Sequence, residues 1–123
     1  MPTAKVLTLD GEIDFHLSPE VAASLRAIVA NKPKRVVVDL SKVTYLDSSG
    51  LAVLIDGMQN TRKYGGEFSL AAMQENLRPI FEIACLDQVF KFFPDVECAL
   101  AADAIAIRGN GSRTATNFAL SQN

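Results

Sequence analysis

Tryptophan is absent from this 123-residue chain, histidine occurs once, and cysteine occurs twice. A single His16 leaves hydrolytic chemistry short of general bases, since any Ser-His-Asp arrangement would have to be built on it. There is no Gly-x-Ser-x-Gly elbow to expose a nucleophile. The phosphate loop Gly-x-x-x-x-Gly-Lys and the dinucleotide fingerprint Gly-x-Gly-x-x-Gly are missing as well. Cys85 and Cys98 form no Cys-x-x-Cys pair and sit among apolar neighbours, which favours two buried free thiols over a disulfide or a zinc site. The expectation is therefore a non-catalytic chain with no cofactor and no metal, with His16 a surface or capping residue.

Long apolar runs are also lacking. No stretch approaches the roughly 20 residues that span a bilayer, and Met-Pro-Thr-Ala-Lys at the start is not the apolar run of a signal peptide. These features predict a cytoplasmic protein without direct membrane insertion. The formal net charge is −2, and the densest basic cluster, Lys32 to Arg35, is broken by Pro33. Such a surface has no electrostatic footprint for nucleic acid.

What is present is a pattern of alternating elements. Apolar residues make up 49% of the chain, enough for one buried core but not two at this length. Lys5 to Leu9 alternates as a strand does, with Asp10-Gly11 as its turn and Glu12 to Phe15 as an extended lead into a helix. Ser18-Pro19 reads as a helix cap followed by a first-turn proline. Leu17, Val21, Leu25, Ile28 and Val29 then form one apolar stripe, and Asn31 and Pro33 end it. Arg35 to Leu40 is a β-branched run without alternation, the mark of a strand covered on both faces. Ser41 to Leu46 reads as an extended connection.

Asp47-Ser48-Ser49-Gly50 opens a second helix with Leu51, Leu54, Ile55 and Met58 inward, and Gly65-Gly66 ends it. A strand over Glu67 to Ala72 follows. The next helix is expected to be capped by Asn76 and to carry Leu77, Ile80, Phe81 and Ala84 inward. Val89-Phe90 is a candidate edge strand, and Asp95 to Ala106 a last helix. The pattern implies an α/β sheet with some parallel pairing. One domain is expected over residues 1–106, with residues 107–123 a poorly ordered tail.

Ser48 and Ser49 carry the chemical interest. The first N–H groups of a helix lack intrahelical acceptors and carry partial positive charge, so a phosphate placed there gains hydrogen bonds and a favourable dipole. Asp47 would repel it, and an apolar partner surface would have to desolvate it. Taken alone, the same residues are also good helix caps, in which case Ser48→Ala would cost about 1 kcal/mol.

The surroundings narrow the choice. Gly11-Glu-Ile-Asp14, Val37-Val-Asp-Leu40, Val43-x-Tyr-Leu-Asp-Ser-Ser-Gly-Leu51, Gly65-Gly66, Asn76-Leu-x-Pro-Ile-Phe-Glu-Ile83 and Leu86 before Val89-Phe90 occur in one order. In that order the chain resembles the STAS domain over about Val6 to Ala104, and more closely the bacterial anti-sigma factor antagonists. The resemblance implies a mixed four- to five-stranded sheet with about four helices. It implies an unphosphorylated form that binds an anti-sigma factor which is also a serine kinase. ATP-dependent phosphorylation of Ser48, with Ser49 the second choice, would release that partner, and a serine phosphatase would reverse the mark. Asp14, Asp47, Ser48, Ser49, Gly50 and Leu51 would form the partner surface, although Asp14 reads equally well as a turn-forming residue. An extra N-terminal strand, usual in the family, has no room before Gly11. An edge is thus left open or paired in a homodimer. The other reading is a STAS accessory subunit of a membrane transport ATPase of the phospholipid-transport type, not phosphorylated.

Overall fold

The valines of the run Arg35 to Leu40 need no alternation with polar residues because water reaches neither face of the strand there. In the computed structural model, which describes residues 4–102, Val36, Val37, Val38 and Leu40 are completely buried. Burying each such side chain is worth roughly 1.5–3 kcal/mol. Val36, Val38 and Leu40 face a large core, while Val37 faces a small second one with Ala71 and Ala99.

This run begins the central strand β2 (Arg35–Leu46). It follows β1 (Ala4–Ile13) and α1 (Ser18–Ala30), and it precedes α2 (Ser48–Lys63), β3 (Glu67–Ala71), a 3-10 turn (Glu75–Leu77), α3 (Arg78–Ile83), β4 (Lys91–Phe93) and α4 (Val96–Leu100). The strands lie in the order β1-β2-β3-β4, and every described pair is parallel. The expected mixed sheet is therefore all parallel here, because each link between neighbouring strands contains a helix, the connection that parallel strands require. Side chains of α1, α2 and α3 fill the large core on one face, and α4 closes the small core on the other. Phe68, Phe81, Phe90 and Phe92 meet in that large core through tilted and edge-on ring contacts of 5.3–6.3 Å.

Several expected boundaries move. Asp10-Gly11 is not a turn: β1 continues to Ile13, and Gly11 takes a φ of +84° beside irregular register. Ser41 to Leu46 is not a connection but the second half of β2. Ser18 is the first helical residue rather than the cap, and Pro19 keeps its place in the first turn. Asn76 lies inside the 3-10 turn and caps no helix. Val89-Phe90 belongs to a turn, and the edge strand starts at Lys91. Ala84 is exposed, not inward.

Both cysteines are free, but Cys85 is exposed, contrary to the buried thiol expected from its neighbours. A hydrogen bond to Asp95 holds the Cys98 thiol above its ordinary pKa, which keeps it a poor nucleophile near neutrality. Asp95 caps α4 through the Cys98 N–H. α4 ends at Leu100 with Ala101 as its C-cap, short of the expected Ala106, while residues 103–106 of that expectation and the tail over 107–123 lie outside the described residues.

Candidate functional site

The two halves of β2 differ in register. β1 uses 10 residues where β2 uses 12, so β2 carries two extra residues, and the shifts fall between Thr8/Asp10 and Gly11/Glu12 on the β1 side. The first bulge thus falls at Leu40 and Ser41, where the second half of β2 begins, and the second at Thr44. The Asp39 carboxylate secures the first by accepting from the Ser41 N–H at 2.9 Å. Bulges re-aim side chains and are frequent beside functional sites. Here they turn Tyr45 outward, 47% exposed, while Leu46 stays in the core.

β2 then feeds α2 with no loop beyond Asp47. Asp47 is the helix cap: its backbone is extended, and its carboxylate accepts from the Gly50 N–H at 3.0 Å. Its own N–H donates to the Ile13 carbonyl, which ties the start of α2 to the end of β1. Gly50 is required by that closeness. A Cβ at this position would stand 2.7 Å from the Ile13 carbonyl oxygen, a contact that real Cβ atoms do not make. Gly50 and Leu51 are both buried, and Gly50 lies packed against the end of β1.

Ser48 is exposed and is the first residue of this 16-residue helix, with half-buried Ser49 next. Their N–H groups belong to the turn that has no intrahelical acceptors. The capping cost expected at Ser48 belongs to Asp47 instead, which leaves the Ser48 hydroxyl without a capping role. Beside it lies a shallow depression of about 460 Å³ lined by Tyr45, Leu46, Asp47, Ser48 and Leu51 on one wall and by Ile80, Ile83 and Ala84 on the other. Ile83 is 84% exposed.

Asp14 follows Ile13 directly and so stands at the same end of the sheet. Its carboxylate accepts from the His16 and Leu17 N–H groups at 2.9 and 3.2 Å, and its carbonyl accepts from Ser18. Asp14 therefore forms the turn into α1, one of its two expected roles. His16 stacks beside exposed Phe15, with ring centroids 4.1 Å apart.

Of the residues expected at the partner surface, Asp47 to Leu51 run consecutively into the start of α2, with Ser48 exposed, Asp47 and Ser49 half-buried, and Gly50 and Leu51 buried. Tyr45 and Ile83, exposed apolar groups that line the depression, were not singled out in the sequence. Tyr45 was hidden by the bulges, which break the period-two pattern. Ile83 could have been suspected, because it falls off the Leu77, Ile80, Phe81 stripe. Among the described residues, no group of three potential metal ligands comes together, and no helix is long and apolar enough to cross a membrane.

A parallel sheet with helices on both faces, and a polar helix start at the carboxyl end of its central strand, defines the class: a small α/β domain of STAS architecture. The model of the STAS domain family matches residues 2–99, and the chain belongs to that family. Among its relatives is the anti-sigma-F factor antagonist RsfB of Mycobacterium tuberculosis, 31% identical over 97 residues, with 77% of each chain covered. An anti-sigma factor antagonist from Mycobacterium paratuberculosis superposes with a TM-score of 0.74 at 31% identity, covering 83% of this chain and 86% of that one. A sulfate transporter family protein from Wolinella succinogenes shares the fold, with a TM-score of 0.73 at 16% identity over 86% and 88% of the two chains.

Proposed function

We propose that this chain is an anti-sigma factor antagonist that works as a non-catalytic switch, with Ser48 as its phosphoacceptor. The relatives named as antagonists support the first part. One observation carries the second: the Ser48 hydroxyl is exposed at the start of a long helix, on the rim of an apolar depression.

In the unphosphorylated state, Tyr45, Ile83 and the depression between them offer apolar area to an anti-sigma factor, with Asp14, Asp47 and Ser49 at its polar margin. A serine kinase, the anti-sigma factor itself, transfers the γ-phosphoryl group of ATP to the Ser48 oxygen. The bond to the leaving ADP breaks, a P–O bond to serine forms, and the hydroxyl proton passes to the kinase base. The product carries about −1.5 to −2 charge. The first-turn N–H groups and the helix dipole accommodate it, so the fold persists. A partner surface that had to strip water from that charge beside Tyr45 and Ile83 would be expelled. A serine phosphatase restores the binding form by hydrolysis. Such a cycle suits a cytoplasmic protein.

Incubation with the source organism's candidate anti-sigma kinases and ATP, followed by phosphosite mapping, tests this reading. Phosphate on Ser48, lost in Ser48→Ala, is expected. A mark outside residues 47–51, or none with any kinase, would overturn it. The same experiment separates the transport-subunit reading, which needs no modification.

A further inference from the structure

β2 outruns its neighbour. β3 pairs only with Arg35 to Asp39, whereas β1 accompanies β2 as far as Leu46. Past Asp39, the edge of β2 that faces β3 has lost its strand partner, and backbone carbonyls there need donors. Two side-chain amides supply them. The Gln74 amide nitrogen donates to the carbonyls of Ser41 at 3.0 Å and Val43 at 2.9 Å, and the Asn76 amide nitrogen donates to the Thr44 carbonyl at 3.0 Å. Carbonyls only accept, so the nitrogen end of each amide must face the strand.

These bonds do more than fill a gap. Their acceptors lie immediately before Tyr45, Leu46, Asp47 and Ser48. Their donors lie immediately before α3, which carries Ile80 and Ile83. Gln74 and Asn76 thus join the two walls of the depression from below, yet neither residue lines it.

We propose that Gln74 and Asn76 are positioning residues that fix the spacing of the two walls and the presentation of Ser48. The functional half of this inference rests on the phosphoswitch reading above. Gln74, half-buried with two acceptors, carries more of the effect than exposed Asn76 with one.

The test uses the full chain with Gln74→Met and Asn76→Leu, singly and together. Each keeps the side chain's bulk and removes its donors. Amide hydrogen exchange should quicken about tenfold at Asp47 and Leu51, whose N–H groups bond at the β2–α2 junction, and stay within about twofold at Val36 to Val38. With the kinase that modifies Ser48, KM should rise about tenfold while kcat is kept, because docking is misaligned and the chemistry is not. Uniform acceleration along β2 would make the amides merely structural and overturn the proposal. So would unchanged exchange at Asp47, or an unchanged KM. If the double variant does not fold, the single variants decide. If no kinase modifies even the wild-type chain, the function reading fails, and the exchange result still decides the positioning of the junction.

Discussion

The first and second halves of β2 are one strand held in two ways. Arg35 to Leu40 keeps regular register with β1 and pairs with β3 as far as Asp39, and has helices over both faces. Ser41 to Leu46 is bulged twice, pairs with β1 alone, and takes its remaining hydrogen bonds from Gln74 and Asn76. The first half is built for stability. The second half carries Tyr45 into solvent and delivers Asp47 and Ser48 to the helix start. Substitutions in the two halves should therefore separate folding from recognition.

The largest expected effect lies in the first half. Leu40→Ala should destabilise the domain by about 2–5 kcal/mol, because a fully buried side chain leaves a cavity. Chemical denaturation measures it, and a loss below about 1 kcal/mol would show that this half is less tightly packed than described. Gly50→Ala comes next, at about 1–3 kcal/mol, since the added methyl meets the Ile13 carbonyl. It should also disturb Ser48 presentation, which makes it the one site where both properties fall together. Asp47→Ala removes the α2 cap and should cost about 1 kcal/mol. Ser48→Ala and Tyr45→Ala are the smallest in stability, each within about 0.5 kcal/mol, because both side chains are exposed. Tyr45→Ala should nonetheless weaken anti-sigma factor binding in calorimetry. Unchanged affinity would remove the apolar wall from the interface.

The same contrast explains what could be read in advance. Val36, Val37 and Val38 announce a doubly covered strand because burial on both faces leaves no polar residue in the run. Ser48-Ser49-Gly50 announces a helix start, because the chemistry of the first turn is local. The second half of β2 gives no such signal. Its partners, Gln74 and Asn76, come from a distant turn, and its two bulges destroy the alternation that marks a half-exposed strand. Gly11 looked like a turn for a related reason: a left-handed glycine within a strand and one in a turn have the same local sequence signature. Asp14 was legible only as one of two roles, and its turn bonds to His16 and Leu17 depend on where α1 begins. Cys85 lies among apolar residues in sequence, but a left-handed backbone at the end of α3 turns it out to water.

The most direct test compares stoichiometrically Ser48-phosphorylated protein with the unmodified chain for binding to the proposed anti-sigma kinase by titration calorimetry. The switch predicts that the phosphorylated form binds at least about tenfold more weakly, a difference of about 1.4 kcal/mol, with an unchanged circular dichroism spectrum. Equal affinity of the two forms, or loss of the fold on phosphorylation, would contradict it.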